Sequence, residues 1–153
     1  MSRITFLASS KPFEIPEEIQ AHNQHVHFEN EEDVIFFSVQ KIDENWLKEI
    51  QDLFSLPYIY EVEGAGSQLF LTYLENHMET GDVLEIYSVP NQHAFHSYKK
   101  KAQEMPEPIE VNTGNHTYRD ASGLYQLKPK KWLEELSRRN YITHHGITTF
   151  VKY

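Results

Sequence analysis

Apolar and polar positions recur along this chain with two different periods, and the switches between them mark out its elements. ITFLA (4–8) is β-branched and aromatic and alternates weakly, which predicts a first strand. SSKPFEIPEE follows as a loop punctuated by Pro12 and Pro16. In HVHF (25–28) a strand would place Val26 and Phe28 on one face and His25 and His27 on the other. VIFFSVQKI (34–42) is apolar on both faces for most of its length, the pattern of a central strand covered on each side.

From Asp43 the period becomes helical. Asp43 suits the N-cap of ENWLKEIQDLF, in which Trp46, Ile50, Leu53 and Phe54 recur on one face until Pro57 ends the unit. PYIYEVEG (57–64) reads as a strand, and GAGS opens a second helix with Phe70, Tyr73 and Leu74 in its buried stripe. After Gly81, DVLEIYSV (82–89) is another strand. Pro90 and Asn91 then lead into a third helix, QHAFHSYKKKAQ, which turns Ala94, Phe95, Tyr98 and Ala102 inward.

Beyond Pro106 and Pro108, the runs IEVN, HTYRD and LYQL, separated by TGN and ASG, predict a short meander. Pro129 fits the first turn of a fourth helix, KKWLEELSRRN, where Trp132 is a core residue. Glu134–Arg138 and Glu135–Arg139 are favourably ordered i,i+4 pairs on that helix. GITTFVKY closes the series as a strand. The strand–helix alternations imply some parallel pairing and the meander adds antiparallel strands. The expectation is therefore an α+β fold, a mixed β-sheet packed by about four helices. The alternative is an α/β three-layer arrangement on a partly parallel sheet. No linker or repeat divides the chain, so residues 1–153 are expected to form one globular domain.

Composition narrows the function classes. With 39% hydrophobic residues, 9 Phe and 9 Tyr, the chain can bury enough apolar surface to offset its conformational entropy. The absence of cysteine excludes disulfides, thiolate metal sites and a cysteine nucleophile. Neither a signal peptide nor a membrane span is read at the start, so a cytoplasmic protein without membrane contact is expected. The net charge of −9 disfavours nucleic acid as a partner. That charge is uneven: residues 1–97 carry 17 acidic against 4 basic residues, and residues 98–153 carry 6 against 10. Opposed charges of this kind favour a protein partner or self-association.

Three places could carry chemistry. His22, His25 and His27 crowd into six positions, but the alternation with Val26 and Phe28 explains His25 and His27 as the wet face of a strand, without a metal. EGAGSQ (63–68) joins a strand to a helix, so backbone amides around Gly64, Gly66 and Ser67 could hold an anionic ligand; it lacks the Lys of a phosphate-binding loop. In SVPNQHAFHSYK, Asn91 would cap the third helix, with His93 in its first turn and His96 one turn on. If the two preceding strands run parallel, both loops emerge at the carboxyl ends of the sheet. Asn91 would then join Gly64, Gly66 and Ser67 as ligand-binding residues, with His93 and His96 as the catalytic candidates.

No Gly-x-Ser-x-Gly elbow or His-Glu-x-x-His motif is present, and no motif calls for a cofactor or resident metal. The leading expectation is a non-catalytic protein-interaction or small-ligand-binding module. Its rival is a small hydrolase or transferase that uses His93 and His96 on an anionic substrate, with or without a divalent metal.

Overall fold

The computed structural model describes residues 4–12, 38–63, 68–139, 141–143 and 146–153. Its strands are β1 (Ile4–Ser9), β2 (Ser38–Lys41), β3 (Tyr58–Glu63), β4 (Val83–Val89), β5 (Ile109–Asn112), β6 (Thr117–Asp120), β7 (Gly123–Gln126) and β8 (Thr148–Val151). All join one sheet in the order β2-β3-β1-β4-β8-β5-β6-β7. Among the described residues four helices accompany them, α1 (Glu44–Ile50), α2 (Gln68–His77), α3 (Phe95–Glu104) and α4 (Trp132–Ser137). A 3₁₀ turn, Gln92–Ala94, leads into α3.

This is the mixed sheet with four helices expected of the α+β class. Among the described strands only the β5–β8 pair is parallel; every other neighbouring pair is antiparallel. The strand–helix alternation does not produce adjacent parallel strands in the first half, because β1 inserts between β3 and β4. Each is antiparallel to β1, so β3 and β4 still point the same way.

The pleat divides the core in two. Leu7, Leu84, Ile86, Val111 and Phe150 face one side, where Phe70, Leu71 and Leu74 of α2 and Trp132 and Leu136 of α4 cover them. Phe6, Ala8, Tyr87 and Val89 face the other side, under Ile50 of α1 and Phe95 and Ala102 of α3. β4 is covered on both faces, which is why VLEIYSV lacks a polar face. Its one carboxylate, Glu85, is buried and engaged: Oε1 accepts from the Ser55 amide at 2.9 Å, the Ser55 hydroxyl at 3.0 Å and the Leu56 amide at 3.1 Å. These bonds fasten the α1–β3 connection to the sheet.

Two local expectations change. The run 34–42 was expected to be central, yet its described part, β2, is the outer strand at the β3 side of the described sheet. Gln40 and Lys41 are exposed there, and the apolar residues that suggested a doubly covered strand, Val34 to Phe37, lie outside the described residues. On α4, Glu134 and Arg138 form their pair at 2.7 Å. Glu135 and Arg139 do not pair. Glu135 instead accepts the Lys128 amide at 2.9 Å, and the Arg139 guanidinium lies 4.9 Å from the Tyr118 ring centre and 4.6 Å from that of Tyr125. A stacked guanidinium of this kind contributes about 0.5–1 kcal/mol or more, against a few tenths for an exposed i,i+4 pair.

Candidate functional site

Asp43 does cap α1, its Oδ1 accepting the Asn45 amide at 2.8 Å. The helix so started carries Trp46 and Glu49 three residues apart, hence on one side. On the neighbouring element, Asn91 Oδ1 accepts the Ala94 amide at 2.9 Å. This bond sets the 3₁₀ turn that holds His93, and His96 follows in the first turn of α3.

α1 and α3 lie side by side and run in the same direction. Trp46 meets Phe95, Glu49 meets His96, Lys99 donates to the Glu49 carbonyl oxygen and pairs with Asp52 at 3.0 Å, and Gln103 reaches Asp52 at 3.4 Å. Each partner on α3 advances as its partner on α1 does. The Lys99 contact also holds the Asp52 carboxyl below the usual carboxylate range, chiefly through its hydrogen bond.

At the amino-terminal end of this helix pair the surfaces part. They leave an open cleft of about 610 Å³ lined by Asp43, Asn45, Trp46, Glu49, His93, Phe95 and His96. Its floor is aromatic. The Trp46 ring centre lies 5.4 Å from that of Phe6 and 5.0 Å from that of Phe95, and Phe6 and Phe95 are themselves in contact at 6.4 Å. Its rim is polar and wet: Asp43, Asn45, Glu49, His93 and His96 are all exposed. His96 Nδ1 stands 3.9 Å from Glu49 Oε2, beyond a hydrogen bond.

His93 and His96 are therefore brought together in one concavity, and Asn91 supports them from behind through the turn. Gly64, Gly66 and Ser67 lie outside the described residues, as do His22, His25 and His27. The strands on either side of β1 bear on the shared crevice. Thr5 stands across from both Val62 and Ser88, so β3 and β4 end at the same end of the sheet. The helices that follow them, α2 and α3, cover opposite faces.

The other walls of the cleft, Asp43, Trp46 and Glu49, are not evident as site residues in the sequence. Asp43 reads there as a cap and Trp46 as core, and both readings are true of them. A half-buried tryptophan and a buried one give the same periodicity. The only sequence signal is Glu49, a charge three residues from an aromatic on a helix that packs against another.

The cleft holds acid–base groups but no hydroxyl or thiol nucleophile among its described lining residues. Among the described residues no group of three His, Asp or Glu side chains converges as metal ligands. Nor do the core tyrosines offer a phenolate, since burial pushes Tyr73 and Tyr87 up to about 12. Among the described residues no helix is long and apolar enough to cross a membrane. Comparison with protein-family models, with curated proteins and with solved structures found no match.

Proposed function

We propose that this chain is a non-catalytic binding module that takes a small ligand, or one protruding side chain of a protein partner, in the cleft between α1 and the start of α3. The observation that carries this reading is the cleft itself, an open concavity with an aromatic floor and convergent polar groups on its rim. Aromatic side chains give contact area at low entropic cost, and polar rims fix orientation. The uneven charge of the chain supports a partner or a second copy as the source of the ligand.

Tryptophan emission tests it. The chain has 2 Trp, so Trp132→Phe leaves Trp46 as the only reporter. Saturable changes in its emission during a screen of small polar and aromatic compounds are expected. A screen that leaves the emission unchanged, with the variant folded, would remove the reading.

One contact favours a second reading. A carboxylate beside an imidazole nitrogen is the arrangement that orients a general base, and Glu49 stands 3.9 Å from His96 Nδ1. A hydrolase built this way would have to use water as its nucleophile. Ester and phosphate-ester turnover that disappears in both His96→Ala and Glu49→Gln would support it; turnover indifferent to either change would exclude it.

A further inference from the structure

The charge of the cleft narrows its ligand. Of the seven described lining residues none is Lys or Arg, and two, Asp43 and Glu49, are carboxylates. Among the described residues neither carboxylate meets a lysine or arginine side chain: Asp43 accepts one backbone amide, and Glu49 has the His96 imidazole at 3.9 Å. The Lys99 ammonium is taken up by the Glu49 main-chain oxygen and by Asp52.

The helix starts oppose this sign only in part. The amino-terminal end of each helix carries about half a positive charge. Asp43 already complements the end of α1, and Asn91 occupies the Ala94 amide ahead of α3. Two full negative charges therefore set the field at the rim. Behind them Trp46, half-buried and held by Phe6 and Phe95, offers an apolar wall.

Resting on the reading of this cleft as a ligand site, we infer that its ligand is an organic cation, an ammonium or guanidinium on a short apolar stem. The charge sits beside the Asp43 and Glu49 carboxylates and the stem lies along Trp46. A cation near an indole gains further attraction from the ring. Two sources supply this chemistry, a free amine and the lysine or arginine side chain of a partner.

The test is a titration of the full chain followed through the Trp46 indole resonance and by calorimetry. The probes are agmatine and phenylbutylamine as free cations, acetyl-Gly-Arg-Gly-amide as the peptide side chain, and phenylbutyrate as the anion of matched shape. Saturable binding of at least one cation, weakening as salt rises, is expected. Free-amine binding and peptide binding both support the inference, and their ratio assigns the source. Glu49→Gln and Asp43→Asn should each weaken cation binding about three- to tenfold, the range of partly exposed charge pairs. Both variants should fold, because Glu49 is exposed and Asn caps a helix about as well as Asp.

Tighter binding of phenylbutyrate than of phenylbutylamine would overturn the cationic ligand and leave the cleft standing as a site. Cation binding unchanged in the Asp43→Asn, Glu49→Gln double variant would also overturn it. Failure of all four probes to move the Trp46 resonance would overturn the inference together with the reading beneath it.

Discussion

Trp46 and Phe95 meet edge to face, with ring centres 5.0 Å apart and ring planes at 77°. The contact joins α1 to α3 and makes the floor of the cleft, so one ring pair serves both stability and the site. Trp46→Ala should lower unfolding free energy by about 2 kcal/mol, less than a fully buried aromatic because part of the ring is wet. Trp46→Phe should recover most of that loss. Urea midpoints of the two variants check the prediction.

Glu85 holds a connection in place through one oxygen. Ala in its place would leave the Ser55 and Leu56 amides without their acceptor in a part-buried setting, at a cost of about 2–4 kcal/mol. Glu85→Gln keeps an acceptor oxygen and should cost less than half as much. Faster amide exchange at Ser55 and Leu56 in the Ala variant, measured against the rest of the chain, would show that the loss is local.

Stability should fall in acid partly through Asp82. Burial pushes its carboxyl up, but the hydrogen bond from Lys11, the Glu79 amide and the charges of Lys11 and Lys152 outweigh burial and hold it below the usual carboxylate range. A carboxyl lowered in the folded state adds stability that is present above its unfolded value of about 3.9 and is lost as pH falls through the folded value. Asp82→Asn should therefore be less stable than the parent at neutral pH. The gap should close in strong acid. Denaturant midpoints at neutral pH, at the unfolded value and well below it measure the closure; a gap of constant size would show that Asp82 acts through packing alone.

Gly114 is required by a close approach. A Cβ there would fall onto the Tyr153 carbonyl and within 2.9 Å of the Tyr153 amide nitrogen, and that nitrogen also donates to Asn112 Oδ1 at 3.2 Å. Gly114→Ala should cost about 1–3 kcal/mol, the range for forced overpacking. Thermal unfolding of the parent and the Gly114→Ala variant measures the cost.

Where an element's fate depended on nearby residues, the sequence was legible. Asp43 capped α1 as its side chain and position required, DVLEIYSV formed the strand β4, and the 3.6-residue stripe of α2 buried Phe70, Tyr73 and Leu74. Long-range choices were not. The place of β1 between β3 and β4 is decided by pairing between segments far apart in sequence, Ser9 with Tyr58 and Ile4 with Val89, which no local period encodes. Arg139 turned from Glu135 to two tyrosines because the meander brought those rings beneath it. His93 and His96 were readable as a pair on one helix start. Trp46 and Glu49 were not readable as their neighbours, since their proximity exists only once α1 and α3 lie together on one face of the sheet.

The cleft between α1 and the start of α3 is the proposed binding site of this chain. Crystals of the full chain soaked with a diverse set of small fragments test it most directly. Fragments should gather among Asp43, Trp46, Glu49, His93 and His96 and compete there with phenylbutylamine. Fragments that gather on other surfaces while this cleft stays vacant would overturn the proposed site.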